Sequence, residues 1–264
     1  MFGRRILLLI PHPDDEVVGC GAAIGRARAQ GARVFGLYLT TGVPAAETLW
    51  PWQRRGYADR VARRWRESLA VADRLGLEIA GSLTGPSRAL KDRLGQAHAM
   101  AVRVLDAARC DTIWTPAYEG GHQDHDAANF LASRLADRAP VWEFSEYGFA
   151  GGRVHAQEFL APDGSERVLE LDAAERALKR ALLDAYASEA GNLGYVGTER
   201  EAFRPLAAYD YGRPPHTGRT FYQRFQWVPR HPRVDRVRPE EVCRALAAWR
   251  PPSPAAAPRL RIAS

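Results

Sequence analysis

The first strand and the loop after it lie in residues 6–16, which read Ile6-Leu7-Leu8-Leu9-Ile10-Pro11-His12-Pro13-Asp14-Asp15-Glu16. The apolar run is too short for a membrane span and has the length of a buried strand. One histidine and three carboxylates follow it, at the end of the strand where open α/β sheets bind their ligands. Adjacent acids repel one another, so the cluster favours a bound cation. Helix capping is the alternative, and it accounts for only one or two of the acids.

The elements after this loop predict an α/β fold. A helix rich in small residues is predicted over 17–30, and a second strand over 33–41 ends in Thr40-Thr41-Gly42. This strand, helix and strand form a βαβ unit, which implies a parallel sheet. The later predictions are helices over 57–76, 90–108, 126–138 and 172–187, strands over 78–83, 111–115, 141–147 and 221–228, and a hairpin joining 155–160 to 167–171. We therefore expect a Rossmann-like, mostly parallel sheet flanked by helices, with a small C-terminal β/loop extension.

The length of 264 residues fits one large domain. We expect a single α/β domain over residues 1–250, with a core over about 4–150 and an extension over about 151–250 that sets substrate specificity. Residues 251–264 are rich in proline and alanine, and they are predicted to form a flexible tail.

Composition narrows the classes of function. The formal net charge is +6, but the arginines are interleaved with acids, so we expect no nucleic-acid partner, while a preference for anionic substrates stays open. No apolar run reaches the length of a membrane span and no signal peptide is evident. Three widely spaced cysteines indicate neither a metal knuckle nor a disulfide framework, so we expect a cytoplasmic protein. The oligomeric state is left open.

A second histidine motif completes a candidate metal site. His122 and His125 follow another predicted strand; alone such a pair is usually two loop histidines, but both motifs lie at one sheet edge. His12, Asp15 and His125 would leave positions open on a zinc ion, as catalytic zinc requires, and Fe²⁺ or Co²⁺ could take the same ligands. A bound water would then act as a nucleophile near neutral pH. Asp14 is predicted as the general base, and His122 as the group that hydrogen-bonds the oxyanion or protonates the leaving group.

Several of these segments resemble the PIG-L/LmbE family of zinc-dependent de-N-acetylases. The resemblance covers roughly residues 4–145, from the first motif and Thr40-Thr41-Gly42 to the later His-x-x-His. The helix containing Arg63-Arg64-Trp65-Arg66-Glu67-Ser68 is similar to the family's Arg-x-x-Glu helix. Residues 179–189, which include Tyr186-Ala187-Ser188-Glu189, resemble a later family segment.

The resemblance implies roles for individual residues. His12, Asp15 and His125 would bind zinc, Asp14 would be the general base, and His122 would stabilise the tetrahedral intermediate. Arg64 would hydrogen-bond the sugar, with Glu67 holding it from three residues further along the helix. The activity implied is hydrolysis of an N-acetyl group on a small-molecule amino sugar of the N-acetylglucosamine type, in which metal-bound water attacks the acetamide carbon.

The sequence departs from the family pattern at two positions near the site. Pro11 stands where the family usually has alanine before the first motif histidine. Some members have a tyrosine two residues before the His-x-x-His, where this chain has Gly120, and Tyr118 is the nearest candidate to replace it.

Other readings compete with this one. A hydrolase of another amide or of an ester is the strongest alternative. A methyltransferase is suggested by Val18-Gly19-Cys20-Gly21, but this glycine run lies inside the predicted helix rather than directly after the strand. An Fe²⁺ oxygenase would use the same ligand types. A catalytically dead binding protein would have no need of Asp14 and His122.

Overall fold

The computed structural model describes residues 3–229 and 231–251. In chain order the strands are β1 (Arg5–Ile10), β2 (Arg33–Tyr38), β3 (Glu78–Ser82), β4 (Thr112–Pro116), β5 (Val141–Phe144), β6 (Tyr147–Ala150), β7 (Arg153–Ala156), β8 (Arg167–Glu170) and β9 (Arg200–Pro205). The α-helices are α1 (Asp15–Val18), α2 (Gly21–Ala29), α3 (Pro51–Arg54), α4 (Tyr57–Leu75), α5 (Leu94–Ala108), α6 (Gln123–Ser133), α7 (Ala173–Ala185) and α8 (Pro239–Ala248).

Seven of these strands form one sheet in the order β3-β2-β1-β4-β5-β9-β8. The pairings from β3 to β5 are parallel, and β9 pairs antiparallel with both β5 and β8. This confirms the predicted α/β fold with a mostly parallel sheet flanked by helices. The strand order reverses at β1, which has β2 on one side and β4 on the other. Ligands of such sheets bind at this reversal, outside the carboxyl ends of the strands.

The central strand is apolar on both faces because helices cover both sides of the sheet. Leu7 and Leu9 pack into a core with α5, α6 and α8. Ile6, Leu8 and Ile10 face the opposite core, with α2, α4 and α7. Consecutive side chains of a strand point to opposite faces, so a run of five apolar residues supplies both cores. This burial fixes β1 and therefore the position of the loop after it.

Most predicted elements of the first half are confirmed, with shifted ends. Helix α4 ends as expected, with Gly76 in the left-handed conformation at a φ of 62°. The helix predicted over 17–30 is two helices, since the chain breaks at Gly19 and Cys20 between α1 and α2. The strand predicted over 141–147 is also divided, between β5 and β6.

The second half differs more from the prediction. The hairpin joining 155–160 to 167–171 is wrong, because β7 pairs with β6 in a separate two-stranded sheet and β8 pairs with β9. The strand predicted over 221–228 is also wrong, since Thr220 begins a 3₁₀ turn over Phe221–Gln223. Helix α8 was not predicted.

The boundary between core and extension stays a prediction, and β8 and β9 of the extension join the main sheet. The predicted tail lies outside the described residues, apart from Pro251. Within residues 3–229 and 231–251, no helix combines the length and the apolar content needed to cross a bilayer. The expectation of a cytoplasmic protein stays a prediction.

Candidate metal and catalytic site

Three predicted ligands meet at the reversal of the strand order. His12 and Asp15 follow β1, and His125 lies in the first turn of α6, which follows β4. His12 Nδ1 lies 3.2 Å from Asp15 Oδ2, His125 Nε2 lies 3.3 Å from the same oxygen, and the two ring nitrogens are 3.3 Å apart. A tetrahedral zinc ion with bonds of 2.0–2.1 Å separates its ligand atoms by about 3.3–3.4 Å. The three atoms therefore have the spacing of one face of such a site.

Two carboxylates orient these histidines from behind. Asp124 Oδ2 lies 2.9 Å from His12 Nε2, and Glu146 Oε2 lies 2.9 Å from His125 Nδ1. A ring N–H pointing at each carboxylate leaves His12 Nδ1 and His125 Nε2 as lone pairs. These lone pairs face each other and the Asp15 carboxylate, an arrangement that only a cation or an added proton makes favourable. The donor set therefore fits a divalent metal ion.

The electrostatics of the buried site point to the same need for positive charge. Burial alone would lower the pKa of His12, but the carboxylates of Asp15 and Asp124 outweigh it and raise that pKa to about 9. Burial would raise the pKa of Asp15, but His125 and His12 hold it well below its ordinary value. An acid ionised this strongly between two histidines is suited to binding a cation.

A second trio, His12, His122 and Asp124, also lies close enough to hold an ion. Its atoms are already engaged. His122 Nδ1 accepts the Asp124 amide at 3.0 Å, and the Asp124 carboxylate accepts the amides of Arg88 and Leu90 as well as contacting His12. The trio of His12, Asp15 and His125 is therefore the better metal site.

Asp14, the predicted general base, has a constrained backbone. Its φ of 130° is one that residues other than glycine rarely adopt, and such strain concentrates at functional sites. Its amide donates to Glu16 Oε2 at 3.0 Å, and its carboxylate accepts from Arg64 at 2.9 Å. Burial raises the pKa of Asp14 and the Arg64 charge opposes that rise. A raised pKa suits a group that takes and returns a proton.

The buried Arg64 side chain contacts neighbouring protein groups at the edge of the site. Its guanidinium donates to the Pro13 carbonyl and to Asp14, each at 2.9 Å, and it forms an ion pair with Glu189. The expectation that Glu67 holds Arg64 is wrong. Glu67 instead pairs with Arg63 at 3.1 Å and accepts hydrogen bonds from Ser188.

His122 is placed to donate a hydrogen bond. It caps α6, and its Nδ1 accepts the Asp124 amide. The ring proton therefore sits on Nε2. Burial and the neighbouring His12 lower the pKa of His122 well below its ordinary value, so the ring is neutral. A neutral ring with a free N–H suits an oxyanion donor better than a general acid.

Tyr118 cannot replace the tyrosine missing at position 120. Its hydroxyl donates to the Arg213 carbonyl at 2.7 Å, and its buried ring packs on Tyr209 and Tyr211. Gly120 has a φ of 68°, and a Cβ there would meet the Thr220 methyl carbon at 2.6 Å, so the fold excludes a tyrosine. The tyrosine that packs on the site is Tyr147, whose ring lies edge-on to His125 at 5.3 Å.

Sequence reasoning missed Asp124 as a positioning carboxylate and missed Glu146 and Tyr147 altogether. Asp124 lies between the two motif histidines. Glu146 lies next to the last residue of the strand predicted over 141–147, so a test for carboxylates near every predicted strand end could have found it.

Comparison with known proteins agrees with this architecture. Residues 7–136 match the family described as PIG-L, GlcNAc-PI de-N-acetylase. A 1D-myo-inositol 2-acetamido-2-deoxy-alpha-D-glucopyranoside deacetylase from Geodermatophilus obscurus is 35% identical over 158 residues, which are 52% of this chain and 54% of the relative. A 2'-N-acetylparomamine deacetylase from Streptomyces fradiae is 34% identical over 46% of this chain and 48% of the relative. The chain thus spans about half the length of the curated relatives it matches.

Solved structures share the fold at low sequence identity. A deacetylase of the teicoplanin biosynthesis pathway superposes with a TM-score of 0.61 at 21% identity, covering 78% of this chain and 99% of that one. The N,N'-diacetylchitobiose deacetylase from Pyrococcus horikoshii has a TM-score of 0.55 at 17% identity, covering 81% and 88%. These likenesses extend the shared fold beyond residue 136. Residues 7–136, just under half of this chain, therefore match a PIG-L family domain.

Proposed function

We propose that this protein is a metal-dependent hydrolase that removes an N-acetyl group from an amino sugar or an amino-sugar conjugate. The observation that carries the proposal is the triangle of His12 Nδ1, Asp15 Oδ2 and His125 Nε2, with Asp14 beside it. The deacetylase activities named for the family and for the relatives over this part of the chain support the reaction class.

The metal ion would be held by His12, Asp15 and His125, and we propose zinc, with Fe²⁺ or Co²⁺ as substitutes. When bound, such an ion supplies a Lewis acid that lowers the pKa of water and polarises a carbonyl group. Asp124 and Glu146 fix the two imidazoles in the tautomers that present lone pairs to it.

The chain's own residues would move the protons. Asp14 would take a proton from the attacking water and later return it to the leaving amine. Arg64 would keep the Asp14 carboxylate ionised and oriented, because its charge opposes the effect of burial on that group. The Arg64 side chain is buried, and its guanidinium contacts Pro13, Asp14 and Glu189. Positioning Asp14 is therefore the role we propose for Arg64.

His122 would stabilise the oxygen that becomes negative during attack. Its Nδ1 is occupied by the Asp124 amide, so the Nε2–H is the free donor. Its side chain is 19% exposed, against 3% for His125, so it borders the open side of the site. A fixed donor at this position is worth about 10²–10³ in kcat in comparable sites.

The test combines acetate release with metal content. The wild-type protein, purified without chelator, should release acetate from N-acetylglucosamine or one of its glycosides. Asp14→Asn should retain the metal and lose turnover, while His12→Ala should lose the metal. Asp106→Asn, an exposed carboxylate on α5, controls for the loss of one charge. Acetate release by Asp14→Asn at the wild-type rate would contradict the mechanism, and release of an acid from esters alone would favour the ester-hydrolase alternative.

A further inference from the structure

An aromatic cluster leads from the candidate metal site towards the surface. The ring of Tyr147 lies 5.3 Å from that of His125, and Phe221 packs on Tyr147 at 4.5 Å. Tyr195 contacts both Tyr147 and Phe221, at 5.1 and 5.3 Å. The cluster therefore forms one wall beside a candidate metal ligand, and the C-terminal extension contributes Tyr195 and Phe221 to it.

Arg224 lies on this wall. Its guanidinium carbon is 3.3 Å from the centroid of Phe221 and 5.0 Å from that of Phe225. The successive contacts from His125 to Tyr147, from Tyr147 to Phe221 and from Phe221 to Arg224 place that carbon within about 13 Å of the centre of the His125 ring. A substituent on a sugar held at the metal site could span this distance.

Arg224 is half-buried, and no acidic side chain pairs with it in the part of the chain that the structure describes. Among the residues described, the guanidinium of Arg224 makes one hydrogen bond, from Nε to the Phe221 carbonyl at 3.1 Å. Arg64 and Arg204, the buried arginines elsewhere, are each paired with carboxylates. Burial lowers the pKa of Arg224, and only the phenols of Tyr195 and Tyr147 oppose it. The protein thus leaves one partly desolvated charge uncompensated beside its site.

The turn that carries Arg224 is held in place. The Phe221 amide donates to the Gly120 carbonyl at 2.9 Å, directly before the second histidine motif. Thr220 caps the turn through Gln223, and the Gln226 side chain donates to the carbonyls of Asp235 and Val237, each at 3.0 Å. A fixed guanidinium loses less conformational entropy on binding than a free surface arginine does.

We propose that Arg224 binds an anionic group of the substrate, so that the preferred substrate is an N-acetylated amino sugar that carries a phosphate or a carboxylate. Guanidinium groups bind both oxyanions through paired, charge-assisted hydrogen bonds. The net charge of +6 favours approach of such a substrate. This inference rests on the proposed function, because it assigns the substrate class of the same site.

The experiment compares kcat/KM for acetate release from three probes: neutral N-acetylglucosamine, its 6-phosphate, and N-acetylmuramic acid, which carries a carboxylate. Wild-type protein should prefer at least one charged probe by about 10- to 100-fold. Arg224→Gln should remove that preference and leave the neutral probe unchanged, and Arg224→Lys should retain part of it. Arg213→Gln, an exposed arginine paired with Asp210, serves as the matched control.

Equal rates on all probes, or a charge preference that survives Arg224→Gln, would overturn the inference and leave the proposed function standing. If no probe releases acetate, calorimetric binding of glucosamine 6-phosphate and of glucosamine to the metal-loaded protein separates the two claims. Tighter binding of the phosphate that depends on Arg224 would support the anion subsite and reject the deacetylase. Equal binding would reject both. If Arg224→Gln does not fold, the same comparison with Arg224→Lys decides.

Discussion

Replacing Glu146 by glutamine tests the claim that His125 is oriented to bind a metal ion. The Glu146 carboxylate is buried, and Oε2 lies 2.9 Å from His125 Nδ1. It makes no other hydrogen bond in the part of the chain that the structure describes. The substitution therefore acts through His125, and it keeps the size of the side chain and an oxygen that can still accept the ring N–H.

The size of the effect follows from the change in one hydrogen bond. A bond to a charged acceptor contributes about 1.5–3 kcal/mol and a neutral one about 0.5–1.5 kcal/mol. The difference, about 1–1.5 kcal/mol, corresponds to roughly tenfold weaker metal binding. Loss of such carboxylates typically costs about 10–100-fold in metal affinity. We expect Glu146→Gln near the lower limit and Glu146→Ala near the upper one.

The metal-free Glu146→Gln protein should be no less stable to unfolding than wild type, although it binds the metal ion more weakly. In the metal-free protein, burial and Asp15 raise the pKa of Glu146 to about 7 from an ordinary 4.5, and His125 opposes them. The folded state therefore holds that proton more tightly than the unfolded state, so the group opposes folding as pH rises from about 4.5 through 7. At pH 8, the metal-free Glu146→Gln protein should unfold at the same temperature as wild type or at a higher one.

Competition with a chromophoric chelator measures the metal Kd, and kcat is measured at saturating metal. Glu240→Gln, on the exposed side of α8, removes the same charge far from any ligand and should leave the Kd unchanged. An unchanged Kd in Glu146→Gln would refute the orientation of His125 by Glu146. A lost kcat with metal fully bound would mean that Glu146 acts in the chemistry instead.

Three further predictions follow from the site. Arg64→Met removes the charge that opposes the raised pKa of Asp14, so the acidic limb of the kcat profile should move to higher pH and kcat should fall; an unmoved limb would contradict the pairing. His122→Gln should keep the metal and lower kcat by about 10²–10³-fold, whereas loss of metal would reassign His122 as a ligand. Lys179→Met leaves the buried Glu201 carboxylate without its ion-pair partner at 2.8 Å. Denaturant unfolding should show a loss of about 3–5 kcal/mol in the free energy of unfolding. A smaller loss in the double variant Lys179→Met with Glu201→Gln would show that the unpaired charge is the cause, and an equal loss would contradict it.

The sequence was most informative where local patterns and sheet topology agree. The apolar run before His12 predicts a central strand, and parallel strands bring their carboxyl ends to one edge. Two motifs more than a hundred residues apart therefore had to meet, and His12, Asp15 and His125 do lie within 3.3 Å of one another. The left-handed stop at Gly76 was predictable for a similar reason, because it depends only on neighbouring backbone.

Prediction failed where a residue's partner is set by the tertiary fold. Residues 167–170 alternate polar and apolar side chains as a hairpin strand does, but their partner β9 begins at Arg200. The local sequence gives no indication of this distant partner. Phe221 and Phe225 suggest a strand, yet the Phe221 ring packs on Tyr147 and Tyr195, which are distant in sequence. Glu67 is three residues from Arg64, but Arg64 pairs with the buried carboxylate of Asp14 and with Glu189, which is distant in sequence.

Titrating metal into chelator-stripped protein while recording acetate release tests the central claim most directly. Metal-dependent deacetylation at the site of His12, Asp15 and His125 predicts no release without metal and a linear rise that stops at one equivalent of zinc. His125→Ala should show neither the rise nor the break. Release that persists in stripped protein, or that rises equally in His125→Ala, would contradict the account.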